Sequence, residues 1–184
     1  TKLLWDQGHR NIVALAMAHW LGQRARVQGY QDTIGRLGGT PNVVWALSAD
    51  SGPRPGAVAD RPYLHEASDM ISEDREVTAI LALSASAVKE LMRSLHQRNR
   101  LPGRDITVLA LGCWDWMHNV AHPPITHVAL PYYEAGLQAA HVLNELAKGN
   151  PQQAQRVQTI PLPGKAFHLG EGGTIASLAW DPAG

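Results

Sequence analysis

The chain has 184 residues, a length that fits one domain or two small lobes and suffices to bury roughly two thirds of the unfolded surface. Sixteen basic and sixteen acidic side chains cancel, and no basic arm or stripe stands out, which excludes an electrostatic footprint for nucleic acid on these residues. A single cysteine, Cys113, excludes an internal disulfide, and the longest apolar run, over 12–21, is broken by His19, too short to span a bilayer and preceded by no secretion signal, so a cytoplasmic protein without membrane partners is expected.

In chain order, Leu3, Leu4 and Trp5 followed by Gly8 read as the tail of a helix with its glycine cap, so the chain is expected to be part of a longer polypeptide. Four short apolar or β-branched runs follow, at 12–17, 43–47, 77–83 and 106–111, each too short for a stable helix and each reading as a buried strand. Between them lie helical patterns. Residues 24–37 carry Val27, Tyr30 and Ile34 at spacings of three and four and end in Gly38-Gly39. Residues 63–71 place Leu64, Ala67 and Ile71 on one face, and 85–97 gather Val88, Leu91, Met92 and Leu95 before Leu101-Pro102-Gly103 stops the helix. The Pro/Gly-rich stretch 52–62 reads as a surface loop, either a lid or a plain insertion. Farther on, 123–128 predicts a crossover strand, 133–146 an amphipathic helix capped near Gly149-Asn150-Pro151, and 157–162 and 167–169 short strands. Strands alternating with helices predict α/β architecture, a parallel sheet flanked by helices.

In such sheets ligands bind beyond the carboxyl ends of the strands, where loops and helix N-termini converge. The residues delivered to that edge are Trp20 and Arg26 after the first strand, Leu47 and Asp50 at the end of the second, Ser84 and Ser86 after the third, and Cys113, Trp114, Asp115 and Trp116 after the fourth. Charged groups that bind hydroxyls and flat indoles that cover CH surface suit a sugar or a nucleoside. Plainer roles stand beside each one. Arg26 reads also as a solvated surface arginine, Asp115 and Ser84 as helix or turn caps, and Trp114 with Trp116 as core packing.

Other chemistries find less support. Cys113, Asp115, His118 and His122 are the one cluster with metal-ligand residue types, but Pro123-Pro124 disfavours a helix reaching His122, and Cys113 has no close cysteine partner; no metal or other cofactor is expected. There is no Gly-x-Ser-x-Gly elbow and no sequence-local base for Ser84 or Ser86, so a hydrolase is not expected. Gly170-Glu171-Gly172-Gly173 precedes no helix and lacks a phosphate-loop lysine, which makes it a turn.

Several segments together resemble the lac-repressor (LacI/GalR) type of transcription regulator. Leu3-Leu4-Trp5-Asp6-Gln7-Gly8-His9-Arg10-Asn11-Ile12 is similar to the stretch in which a helix ends in Gly-His-Arg before the first strand of the C-terminal lobe. Arg26-Val27-Gln28-Gly29-Tyr30 resembles the following Arg-x-x-Gly-aromatic helix, whose arginine contacts the effector in that family. Leu101 to Val108, Pro123 to Val128, and the helix from Tyr133 through Gly136 to Gly149 continue the match in order.

The resemblance implies a dimeric, two-lobed sensor of type I periplasmic-binding-protein fold that closes on a small effector and alters operator DNA binding through an N-terminal helix-turn-helix outside this chain. It implies the C-terminal lobe over 1–122, a crossover strand and helix of the N-terminal lobe over 123–150, and a return to the C-terminal lobe over 151–184. The effector set would be Arg26, Asp115, Trp114, Trp20, Ser84, Leu47 and Asp50. Leu83-Ser84 stands where the family has an Asn-Asp pair, and the Gly-aromatic-Asp-Asp turn is matched by Gly112-Cys113-Trp114-Asp115 only with extra residues. An extracytoplasmic sugar-binding protein serving a transporter is the alternative on the same fold.

Overall fold

The computed structural model describes residues 1–18, 22–48, 61–112, 123–129, 132–148 and 168–170. Among these residues five α-helices and six strands follow in the order α1 (Lys2–Asp6), β1 (Ile12–Met17), α2 (Gln23–Arg36), β2 (Asn42–Ala46), α3 (Leu64–Glu73), β3 (Ala79–Ala82), α4 (Val88–Gln97), β4 (Thr107–Leu111), β5 (Thr126–Ala129), α5 (Tyr132–Ala147) and β6 (His168–Gly170). The strands form one sheet in the order β2-β1-β3-β4-β5-β6. β1 to β5 pair parallel, and β6 pairs antiparallel with β5. The expected α/β sheet flanked by helices is therefore the fold. The reversed sixth strand is not something apolar patterning can reveal, because alternation carries no direction.

All six residues of β1 are buried, which is why its sequence is apolar throughout rather than alternating. The pleat still sorts its side chains. Val13, Leu15 and Met17 join Ile80, Ala67, Ile71, Leu91 and Leu95 in a core under α3 and α4. Ile12, Ala14 and Ala16 join Leu4, Val27, Tyr30, Ile34, Leu81 and Leu109 in a second core under α1 and α2. Helices thus cover both faces, and each buried Leu or Ile contributes about 1.5–3 kcal/mol.

Three helices end in the same way. Gly8 (φ 93°) follows α1, and the N–H groups of Gly8 and His9 reach back to the carbonyls of Trp5 and Leu4. Gly38 (φ 81°) and Gly39 do this for α2, and Asn99 (φ 51°) with Arg100 does it for α4. Each is a Schellman closure with a left-handed residue that only Gly, or at some cost Asn, adopts readily.

Polar side chains lock the elements together. The phenol of Tyr30 donates to the Ile12 carbonyl at 2.6 Å and accepts from the Asn42 amide at 3.1 Å. Burial pushes its pKa up. The Arg100 guanidinium, 2% exposed, donates to the carbonyls of Asp74 (2.7 Å), Ile71 and Ser72 (3.4 Å each) and Val77. It thereby satisfies carbonyls that the end of α3 leaves without an intrahelical partner. Burial, aided by the nearby Arg75, holds this guanidinium below the usual arginine range. Between α3 and α4, Asp69 accepts from Ser94 at 2.6 Å and Arg98 at 3.0 Å, and the Ser94 hydroxyl foremost keeps its carboxyl below the usual range.

The segment 85–97, read as one helix, opens instead with a 3-10 turn over Ala85–Ala87 before α4 begins. The Ala87 amide bonds the Ser84 carbonyl at 3.1 Å, the tight closure that a helix start can adopt after an extended residue. The crossover strand expected over 123–128 is β5, which begins three residues later at Thr126 and lies beside β4 in the sheet. The following α5 has no buried residue, and Tyr133, Leu137 and Leu143 stay exposed.

Candidate functional site

The strand order reverses direction beside β1: the chain passes from β1 outward to β2 and then returns to β3 on the other side. In open parallel sheets, connections that leave adjacent strands toward opposite sides make such a reversal the place where a crevice forms at the carboxyl edge. This is the topological switch point, the place where an open parallel sheet offers a binding site.

From the β1 side the crevice receives the first turn of α2. Gly22 occupies its N-cap, so that position brings no side-chain oxygen to the positive end of the helix dipole. Gln23 and Arg26, three residues apart, lie on one face of that turn. From the β3 side comes the Leu83-Ser84 peptide. The two sides meet in two hydrogen bonds: Arg26 Nη1 donates to the Leu83 carbonyl at 2.6 Å, and Gln23 Nε2 donates to the same oxygen at 3.0 Å. Both lone pairs of one carbonyl are thus used. The Leu83 amide in turn donates to Leu15 on β1 at 2.9 Å, which ties the end of β3 to the central strand.

Arg26 is half-buried rather than a solvated surface arginine. Ser84 is buried and extended, and its hydroxyl shares a hydrogen bond of 2.8 Å with that of the exposed Ser86. Ser84 holds the N-cap position of the 3-10 turn, but its side chain makes no cap bond. Its hydroxyl is directed within a serine pair, which places two O–H groups beside the arginine-bearing crevice.

Leu47 is half-buried at the end of β2. Its amide donates to Pro62 at 2.9 Å, and its carbonyl accepts from Leu64 at 2.8 Å, so it forms a parallel bridge with Tyr63. Nearby, the Arg61 guanidinium lies 4.9 Å over the Trp45 ring. At the end of β4, Gly112 (φ 77°) turns the chain and donates to Val128 at 2.9 Å. The remaining candidates, Trp20, Asp50, Trp114 and Asp115, lie outside the described residues, as do Cys113, Trp116, His118, His122 and most of the Pro/Gly-rich loop.

Arg26 and Ser84 thus lie at one edge of the sheet, Arg26 bonded to the carbonyl of Leu83, the residue before Ser84. Gln23 is the participant that residue types alone did not single out. Its signal is the spacing: three residues before an arginine on a helix is the same face, one turn nearer the strand. Among the described residues no three His, Cys, Asp or Glu side chains come together in a metal-binding group, and no helix is long and apolar enough to cross a membrane.

Residues 1–164 match the periplasmic binding protein-like domain family. No curated protein sequence matches. Among solved structures, the chain is similar to a LacI family transcriptional regulator from Mycobacterium smegmatis, with 19% identity, TM-score 0.71 and coverage of 96% of this chain and 61% of that one. It is similar also to a LacI family transcriptional regulator from Bifidobacterium animalis subsp. lactis DSM 10140, with 21% identity, TM-score 0.72 and coverage of 95% and 58%. A LacI family transcriptional regulator from Enterococcus faecium, with bound ribose, matches at 17% identity, TM-score 0.72 and coverage of 96% and 60%. At these identities the likeness establishes the fold. The chain spans 58% to 61% of the length of these three structures.

Proposed function

This chain belongs to the periplasmic binding protein-like domain family, and from that membership we propose that it is the effector-sensing part of a cytoplasmic LacI-type transcription regulator. The effector is a small polyhydroxylated molecule, a sugar or nucleoside, bound at the switch-point crevice. The observation that carries the reading is the convergence there of a half-buried arginine, an amide and two serine hydroxyls from opposite sides of the strand reversal. Arg26 supplies up to five N–H donors to ring hydroxyls, Ser84 and Ser86 supply O–H groups, and Leu47 together with Trp20, Asp50, Trp114 and Asp115, the last four by sequence position alone, are the further candidate contacts. No catalytic step is assigned to it.

Binding would stabilise one of two lobe arrangements and so shift operator affinity through a headpiece carried elsewhere in a homodimer. The helix α5, with no buried residue of its own, supports placing the 132–147 region in a second lobe whose surface covers Tyr133, Leu137 and Leu143. The solved relative with ribose makes a pentose the first ligand to test.

Calorimetry of the intact protein against D-ribose, hexoses and nucleosides tests the site. Loss of at least about tenfold in affinity is expected for Arg26→Ala, the effect of removing a charged donor to a bound hydroxyl. A ligand held equally by both proteins removes Arg26 from the site. A transporter's solute receptor shares this family fold; a secretion signal encoded upstream would favour it, and a helix-turn-helix would favour the regulator.

A further inference from the structure

We propose that Gln23 is a positioning residue, a standby donor that keeps the Leu83 carbonyl satisfied so that Arg26 is free to leave it for a ligand oxygen. The starting point is an excess. Leu83 is 2% exposed, and its carbonyl closes the end of β3 at the crevice. A buried carbonyl requires one donor to avoid a desolvation penalty, yet this one has two, both from the first turn of α2.

The two donors are unlike. Gln23 is 1% exposed and neutral, and among the described residues its bond to Leu83 is its amide's one hydrogen bond, its Oε1 having no partner. Arg26 is half-buried at the rim, carries a permanent charge and commits a single Nη1 bond among the described residues. Were Arg26 the only donor, turning its guanidinium to a ligand would orphan a buried acceptor, and that cost would be subtracted from binding. With Gln23 beside it the exchange is nearly neutral: Leu83 keeps one donor, and Arg26 gains an oxygen of the effector. The Leu83-Ser84 turn, and with it the Ser84–Ser86 hydroxyl pair, then stays in place while the arginine moves.

The part played by the effector rests on the function proposed above; the sharing of the carbonyl does not. The test therefore uses no ligand. Amide hydrogen exchange over residues 83–88 is measured on the intact protein as wild type, Gln23→Met, Arg26→Met and the double variant. Each single variant is expected to exchange within about threefold of wild type, because the other donor remains, and the double variant about tenfold or more faster than the product of the two effects predicts. Restoring a donor with Arg26→Lys in the Gln23→Met background is expected to recover protection. A packing role for Gln23 would instead give the same effect in both backgrounds and no recovery. Additive effects, either single variant exchanging as fast as the double, or a Gln23→Met protein that does not fold, overturn the proposal. Protection that follows the expected pattern in a protein binding none of the sugars or nucleosides leaves the shared carbonyl standing and removes the effector reading instead.

Discussion

The hydroxyl of Tyr30 lies 2.6 Å from the carbonyl oxygen of Ile12, so a helix side chain supplies a hydrogen bond to the first residue of the central strand. The Tyr30 hydroxyl oxygen in turn accepts from the amide of Asn42, the first residue of β2. One phenol therefore sets α2 against two strands at once. Tyr30→Phe keeps the ring packing and leaves a buried carbonyl and an amide short of a partner. A loss of about 1–2 kcal/mol in unfolding free energy is expected by chemical denaturation; a variant as stable as wild type would show that water replaces the phenol.

Arg100 presents a buried cation to main-chain carbonyls and, among the hydrogen bonds described, to no carboxylate. Its stabilisation comes from the negative end of α3 and from the orphan carbonyls there. Arg100→Met, similar in length and without donors, should lower stability by about 2–3 kcal/mol, since it strips several buried acceptors together. Exchange of the 71–77 segment should rise more than that of β1, and equal rises in both would contradict a local role.

A Cβ at Gly39 would lie 2.7 Å and 2.9 Å from the Trp5 ring and 3.0 Å from Ile34. The indole cannot simply move aside, because the Arg10 guanidinium stacks 4.2 Å from its centroid and bonds the Trp5 carbonyl at 2.9 Å. Gly39→Ala is expected to cost about 1–3 kcal/mol through overpacking and to lower the thermal midpoint. The neighbouring Gly35 has open space where its Cβ would go, so Gly35→Ala serves as the control and should be neutral or mildly stabilising in the helix.

His9 is buried against Thr78, with Nδ1 3.0 Å from the hydroxyl and Nε2 without a partner among the described residues. Burial lowers its pKa from 6.5. The unfolded chain then binds a proton more readily than the folded one. The contribution of neutral His9 is fully present above pH 6.5 and is lost as the pH falls from there through the lowered folded value. Thermal midpoints measured across this range should decline with acidification, and His9→Gln should flatten that decline; an unchanged slope would assign it to other groups.

The strands and long helices were legible because burial on both faces writes itself as continuous apolar runs, and 12–17 in the sequence is β1 residue for residue. Closures carried by glycine were legible too, at Gly8 and at Gly38-Gly39, since a positive φ demands that residue. The equivalent closure at Asn99 was not, because asparagine occurs in many other settings. The direction of β6 was hidden for want of any residue-level signature. At the candidate site, the strand ends sufficed to place Arg26 and Ser84 at the carboxyl edge, whereas nothing in the sequence singles out Gln23, because an amide at a helix start looks like surface. Its partner is a main-chain oxygen on another strand, and no sequence pattern names a carbonyl.

The pairing of β1 with β3 sets Ile12 beside Ala79, with α2, β2 and α3 lying between them in the chain. Such a contact cannot form early and locally; a long loop must close before any ladder bond compensates its lost entropy. The bonds from Gln23 and Arg26 to Leu83 join those same distant stretches, so they exist only after the non-local step is complete. A nascent or misregistered chain accordingly lacks these two bonds, and their formation doubles as a reporter of finished assembly.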